Sequence, residues 1–261
     1  MASGRLFRQL RIVFLLFILL LVAGDAWLAS SRATDWDDAL WVVIYPINPD
    51  GGAVAEGYIS SLRNDVFSPV GEFFLRQAGR YGLEQKELVK VRLGPQVETL
   101  PPLPPEKDNV LAVVWWSLKL RFWAMRTGLG MDGPPADIRI YVIYHDPAQQ
   151  PHLAHSLGLK EGLIGVVNAY ASRTYSGRNN FVIAHELLHT LGATDKYDQA
   201  SSQPLYPEGY AQPERKPLYP QHMAEVMGGR IPSSSTHSDT PGSLKRVVIG
   251  HTTASEINWL E

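Results

Sequence analysis

The 261-residue chain contains no cysteine. This absence excludes structural disulfides and Cys-ligated zinc fingers. It does not fix the compartment, because a domain of this size can bury enough surface to fold without disulfides. The chain also lacks an excess of basic residues, since it contains 24 Lys and Arg residues and 26 Asp and Glu residues. Nucleic-acid-binding proteins usually present a basic face, so we expect no nucleic-acid partner.

The first 33 residues differ from the rest of the chain in charge and hydropathy. Three arginines precede the uncharged run IVFLLFILLLVAG at 12–24. Basic residues ahead of an apolar run orient it with its N-terminus in the cytoplasm. Extension of the run to residue 28 approaches the ~20 residues that span a bilayer. We therefore predict a signal anchor and linker over 1–33, with the membrane crossed by residues 12–28.

The remaining sequence predicts alternating strands and helices, followed by loops. The predicted order is strand 40–47, helix 66–82, strand 88–94, helix 109–126, strand 138–146, strand 162–171 and a helix that Asn179 or Asn180 caps and Gly192 ends. Residues after 192 are rich in Pro, Gly, Ser, Gln and Tyr, and close with a short helix at 253–260, with Thr253 as cap and Glu256 at the capping-box position. The predicted fold class is α/β, with a mixed twisted sheet and an active-site helix in 34–191 and a loop-rich part in 192–261.

The predicted helix at 109–126 carries an apolar stripe. Large apolar residues recur at a 4-3-4-3 spacing, which is typical of one helix face. The stripe consists of Leu111, Trp115, Leu118, Phe122 and Met125. We expect the adjacent pair Trp115 and Trp116 to lie in the core.

One segment, HELLHTLGATD at 185–195, carries the chemistry. His185 and His189 are four residues apart, so on a helix both imidazoles lie on one face, within reach of one metal ion. Glu186 can deprotonate a zinc-bound water, whose pKa zinc lowers to about 7. Gly192 can adopt the left-handed conformation that turns the chain back toward the metal. Asp195 then offers a third ligand, and three protein ligands with one open position are typical of catalytic zinc.

The pattern H-E-x-x-H-x-x-G-x-x-D resembles the zinc signature of the metzincin metallopeptidases, in which His commonly stands where this chain has Asp195. The resemblance covers residues 162–232. It includes Met227, in AEVMGGRIP, as the methionine of the turn beneath the metal. It implies a zincin-like α+β domain over 34–261.

The resemblance also implies roles for individual residues. Zinc is the implied cofactor, with His185, His189 and Asp195 as ligands and Glu186 as general base. An edge strand before the helix, here the segment 162–171, would hold an extended peptide substrate. Asp in place of His makes the site one charge more negative, which would weaken the Lewis acidity of the metal.

Several assignments remain open at the level of sequence. Asp198 and Glu208 are alternative third ligands. Tyr197 and Tyr219 follow the helix, in the region from which metzincins draw the residue that stabilises the transition-state oxyanion. Both are therefore candidates for a hydrogen-bond donor to the carbonyl oxygen.

The sequence thus predicts a zinc-dependent endopeptidase that hydrolyses peptide bonds with a metal-bound water activated by Glu186. Its partner is a peptide or protein substrate. The overall layout also resembles a family of bacterial membrane-anchored proteins. The predicted location is the bacterial inner membrane, with the catalytic domain periplasmic or extracellular, or secretion after signal cleavage. The alternatives are a non-catalytic metal-binding module of the cell envelope and a hydrolase of another amide, such as cell-wall material.

Overall fold

A five-stranded mixed sheet organises the protein. The computed structural model describes residues 10–14, 17, 20, 24, 28–29, 31–105, 109–128 and 133–260. The strands are β1 (Leu40–Ile47), β2 (Val89–Leu93), β3 (Ile138–His145), β4 (Leu157–Leu159) and β5 (Ile164–Tyr170). Their spatial order is β2-β1-β3-β5-β4, in which only β4 runs antiparallel to its neighbour. The sheet confirms the predicted α/β class.

Helices cover both faces of this sheet. They are α1 (Ala53–Ser60), α2 (Ser68–Ala78), α3 (Val110–Thr127), α4 (Ser176–Thr190) and α5 (His251–Glu256). Helices α1, α2 and α4 contribute to the larger buried cluster on one face, and α3 contributes to a smaller cluster on the other. Alternate residues of β1 enter the two clusters, for example Val42 and Val43. Coverage of both faces explains why the central strands β1 and β3 are largely apolar.

Beyond α4 the chain forms loops, two small strand pairs and the short helix α5. The pairs are β6 (Ala224–Glu225) with β9 (Val247–Val248), and β7 (Ile231–Pro232) with β8 (Ser238–Asp239). This loop-rich part shares the larger buried cluster with the sheet. The Trp36 indole donates to the carbonyl of Ile257 at 2.7 Å and packs edge-on against Trp259. Residues on both sides of position 192 therefore fold around one core.

Helix α4 begins earlier than predicted. Neither Asn179 nor Asn180 is its cap, because both lie inside a helix that starts at Ser176. Asn179 exchanges hydrogen bonds with the backbone of Tyr170, and Asn180 donates to the carbonyl of Val66 at 2.7 Å. Asn179 thus joins the helix to β5, and Asn180 joins it to the short 3-10 helix before α2. Local capping rules do not consider such long-range roles.

Helix α3 buries a different face from the one its apolar stripe suggests. Trp116, Leu120 and Ala124 pack on the sheet, whereas Trp115 is 61% exposed. The prediction that Trp115 lies in the core is therefore wrong. Trp116, Leu120 and Ala124 are spaced four residues apart and form the narrow buried face of the helix. The apolar stripe that runs from Leu111 to Met125 faces outward.

The structure also corrects the predicted membrane anchor. Among the described residues, no helix has both the length and the apolarity needed to cross a bilayer. The 18-residue α3 carries three basic residues, and a span requires ~20 predominantly apolar residues. This finding overturns the anchor at 12–28 and the single-pass inner-membrane location based on it. Residues 15–16, 18–19, 21–23 and 25–27 of that segment lie outside the described residues.

Candidate metal centre

Helix α4 and the turn after it bring three potential ligands together. His185 and His189 occupy successive turns of the helix. The helix ends at Thr190, and Gly192 has a φ of +105°, which strains any residue with a side chain. The Ala193 N–H donates to the carbonyl of Leu188 at 3.0 Å and closes the helix terminus. The chain then reverses direction, as predicted, and Asp195 returns to the histidines.

The three side chains converge on one point. Nε2 of His185 and Nε2 of His189 are 3.1 Å apart. Oδ1 of Asp195 lies 3.2 Å from the first of these nitrogens and 3.1 Å from the second. Tetrahedral zinc with bonds of about 2.0–2.1 Å would separate its ligand atoms by about 3.3 Å. The group could therefore hold a metal ion with little rearrangement.

Backbone carbonyls orient both imidazoles. Nδ1 of His185 donates to the carbonyl of Val226, and Nδ1 of His189 donates to that of Ala193, each at 2.9 Å. A neutral imidazole that donates from Nδ1 presents an unprotonated Nε2. Two nitrogen lone pairs and a carboxylate oxygen therefore face one another. Such a set of acceptors needs a proton or a cation between them, and this outer hydrogen bonding is typical of metal-binding histidines.

The charges of the site shift the pKa values of its members. Burial acts to lower the pKa of His185, but the hydrogen bond with Asp195 and the charge of Glu186 outweigh it and raise the pKa to about 9. Partial burial acts to raise the pKa of Asp195, but both imidazoles hold it well below its ordinary range. The protein's own groups thus favour a positive charge at the point where the three ligands meet.

Glu186 is buried beside this point. Burial raises the pKa of its carboxyl group, against the opposing charges of His185 and His189. Its Oε2 has no hydrogen-bond partner among the described residues. A buried carboxyl group with a raised pKa and an unused oxygen is suited to accept and return a proton.

The two candidate tyrosines differ in position. Tyr197 lines a cavity of about 190 Å³ together with His185, Phe181 and Arg230. Burial, together with the negative charge of Asp195, raises the pKa of Tyr197 to about 12, so its hydroxyl keeps its proton. The hydroxyl of Tyr219 instead lies 2.8 Å from that of Tyr210, and Tyr219 does not line this cavity.

The rival ligands lie outside the cluster. The carboxylate of Asp198 is exposed and accepts from the amide and hydroxyl of Ser201 at 2.8 and 2.7 Å. Glu208 is also exposed. Neither belongs to the group of potential ligands among the described residues, whereas Asp195 does. Met227 is fully buried and directly follows Val226, whose carbonyl holds His185.

Two acidic residues that support the site were not recognised from the sequence. Glu225 is fully buried and accepts from the amides of Gly228 and Gly250 and from the hydroxyl of Thr253. It thereby fixes the turn that carries Val226. Glu256 binds the residues on either side of Asp195. Both partner sets are distant in sequence, so no local pattern indicated them.

The segment expected to be the edge strand is not at the edge. Strand β5 pairs with β3 on one side and with β4 on the other, so it lies inside the sheet. The short antiparallel β4 is the edge strand on this side of the sheet. It lies so close to α4 that a side chain at Gly158 would collide with the carbonyl of Glu186 and with Cβ of His189. The prediction for 162–171 was wrong because β4 is only three residues long and carries no strand signal of its own.

Comparisons with known proteins add little. No family model matches the chain, and no curated protein matches it. A solved structure described as "Structure of a chaperone-substrate complex" is similar over 85% of this chain, with 13% sequence identity and a TM-score of 0.38. The match covers 34% of that longer chain. A similarity at this level supports no conclusion, so the candidate site rests on its own geometry.

Proposed function

We propose that this chain is a zinc-dependent hydrolase of peptide bonds. The observation that supports this proposal is the convergence of His185, His189 and Asp195 beside the buried carboxyl group of Glu186, whose Oε2 has no hydrogen-bond partner among the described residues. Imidazole nitrogens and a carboxylate oxygen suit zinc, and three protein ligands leave a position open. A structural zinc site would instead be closed by a fourth protein ligand.

Different residues of the chain bind the metal, transfer the proton and stabilise the negative charge. Zinc held by the three ligands would supply Lewis acidity and lower the pKa of a water molecule. Glu186 takes the proton from the attacking water and delivers it to the leaving amine. The Tyr197 hydroxyl, protonated at neutral pH, donates toward negative charge that develops on the carbonyl oxygen.

The edge strand favours an extended peptide as the substrate. Strand β4 has one unpaired side in the described sheet and lies against α4 at Gly158. An extended chain can add to such an edge by main-chain hydrogen bonds. A peptide bound there would run past Glu186 and His189. The cavity lined by Phe181 and Tyr197 could take one of its side chains.

The test compares the wild-type chain with Glu186→Gln. We expect the variant to keep one zinc per chain and to lose peptide cleavage by about 10²–10⁴-fold, because acid–base transfer is removed and the ligands remain. Zinc is measured by elemental analysis, and cleavage with a fluorogenic peptide library. Glu208→Gln, which changes an exposed carboxylate, is the matched control.

Two results would contradict the proposal in different ways. Absence of bound zinc in the wild-type chain would remove the metal assignment. Zinc at one per chain without any cleavage that depends on Glu186 would instead indicate a non-catalytic metal-binding module.

A further inference from the structure

A second cavity lies at the amino ends of β3 and β5, mainly on the face of the sheet opposite to α4, although Ala33 and Leu163 of the larger cluster also line it. It has a volume of about 450 Å³ and lies between α3 and the amino ends of β3 and β5. Its walls include Ile164, whose side chain belongs to the cluster under α3. Gly165, the next residue, faces Glu186 on the other side. Successive strand residues point to opposite faces, so the sheet separates this cavity from the candidate metal centre.

Three guanidinium groups line this cavity. Arg139 comes from β3, Arg121 from α3 and Arg32 from the segment before β1. Arg32 is exposed, whereas Arg121 and Arg139 are half-buried. Nε of Arg121 and Nε of Arg139 are both inaccessible to solvent and have no hydrogen-bond partner among the described residues. A charged donor buried without a partner is costly. Because both Nε atoms are closed to solvent, a ligand in the cavity would meet the terminal nitrogens of these guanidinium groups.

The local charge is not balanced by the described lining. Asp137 is the one acidic residue among the described residues that form the walls. One of its oxygens already accepts from the amide of Trp41 at 2.8 Å. Three positive groups therefore face one carboxylate, in a chain whose net charge is −2. The imbalance favours an anion.

We propose that this cavity binds a small molecule with an oxyanion head, a phosphate or carboxylate group, joined to an apolar body. Guanidinium groups recognise both heads through paired N–H donors. The apolar walls, which include Ala124, Met125 and Ile164, receive the body of the ligand. A volume of about 450 Å³ exceeds the need of a bare phosphate ion and falls within the range of small-molecule sites, about 300–1,000 Å³. This site is independent of the proposed hydrolase activity.

Calorimetric titration of the full-length chain tests the proposal. The probes are inorganic phosphate, octyl phosphate below its micellar concentration, and octanoate, all at constant ionic strength. We expect saturable binding at one site per chain. Octyl phosphate should bind at least tenfold more tightly than inorganic phosphate, because only the former fills the apolar part of the cavity.

Substitutions locate the binding. Arg121→Gln and Arg139→Gln should each weaken binding of octyl phosphate at least tenfold, and Arg121→Lys should retain part of it. Arg126→Gln is the matched control, because Arg126 is exposed on the same helix and does not line the cavity. Zinc content should be unchanged in all four variants, which separates this site from the metal centre.

The proposal is overturned if none of the three probes binds saturably to the wild-type chain. It is also overturned if Arg126→Gln weakens binding as much as Arg121→Gln, since binding would then follow net charge alone. Equal affinity for inorganic and octyl phosphate would contradict the proposal that the cavity binds an apolar body joined to the oxyanion. Circular dichroism and zinc content identify a variant that fails to fold, and Arg121→Lys then serves as the test in its place.

Discussion

At the scale of single residues, Asp195 decides whether the metal centre is complete. Its Oδ1 faces both histidines, and its Oδ2 accepts from the side-chain amide of Gln199 at 3.2 Å. Gln199 thus orients the carboxylate, and Oδ1 remains directed at the point where the two imidazole nitrogens meet. A metal ligand held in this way binds without a large loss of side-chain entropy.

We predict that Asp195→Ala weakens zinc binding by more than 100-fold. Removal of a ligand should cost more than the 10–100-fold that loss of an outer hydrogen bond typically costs. Competition with a chelator of known affinity measures the change. Asp198→Ala, which alters a neighbouring exposed carboxylate, should bind zinc like the wild type. The opposite ranking of the two variants would make Asp198 the ligand.

The site residues differ in how far sequence could identify them. His185, Glu186, His189 and Asp195 lie within eleven residues, so helix periodicity and one glycine suffice to bring them together. The partner of the His185 ring is a carbonyl 41 residues away, and no side-chain pattern marks a carbonyl. Whether Tyr197 or Tyr219 lies beside the metal centre likewise depends on the path of the loop after α4, which the sequence does not show.

At the scale of elements, the C-terminal helix α5 holds the loop that carries Asp195. Glu256 accepts from the amide and hydroxyl of Thr194 at 3.1 and 2.6 Å and from Nζ of Lys196 at 2.6 Å. The sequence had predicted that Glu256 caps its own helix behind Thr253. That prediction was wrong, because α5 begins at His251 and Thr253 binds Glu225 instead. The hydrogen bonds of Glu256 and Thr253 to residues distant in sequence, and not the local capping pattern, determine their positions.

We predict that Glu256→Gln destabilises the protein by about 1 kcal/mol at pH 7, a value reduced for solvent screening. Partial burial acts to raise the pKa of Glu256, but hydrogen bonds from Lys196 and Thr194 outweigh it and lower the pKa from its ordinary 4.5. A lowered pKa stabilises the fold above the unfolded value, and this contribution disappears as the pH falls through the folded value.

Urea unfolding at several pH values measures this effect. The difference between wild type and Glu256→Gln should be present at pH 7 and shrink below pH 4.5. Glu214→Gln, at an exposed carboxylate, should show no such difference. A difference for Glu256→Gln that does not change with pH would mean that the charge of Glu256 is not responsible.

At the scale of the whole molecule, the candidate metal centre joins the sheet-bearing part to the loop-rich part. Two ligands come from α4, and the third follows Gly192. The sequence predicted the α/β class because β1 and β3 are long and apolar. It could not predict the strand order, because β4 is too short to recognise and pairing is set by distant residues.

We predict that removal of zinc lowers the midpoint of thermal unfolding. A metal at about 100 times its Kd contributes ~2.7 kcal/mol to the folded state. For a domain of this size that corresponds to about 5–10 °C. Differential scanning fluorimetry with and without a chelator measures the shift. It should be absent in Asp195→Ala, and a shift that persists there would place the stabilising metal elsewhere.

The first residues of β5 have a consequence for how this protein can diverge among its relatives. Ile164 faces the arginine-lined cavity, and Gly165 faces Glu186. Because their side chains point to opposite faces, a mutation at one position leaves the surroundings of the other almost unchanged. A substitution at position 164 can therefore alter the proposed anion site while the candidate metal centre at α4 is preserved. In a set of homologous sequences, position 164 should vary together with positions 121 and 139, and position 165 should stay small.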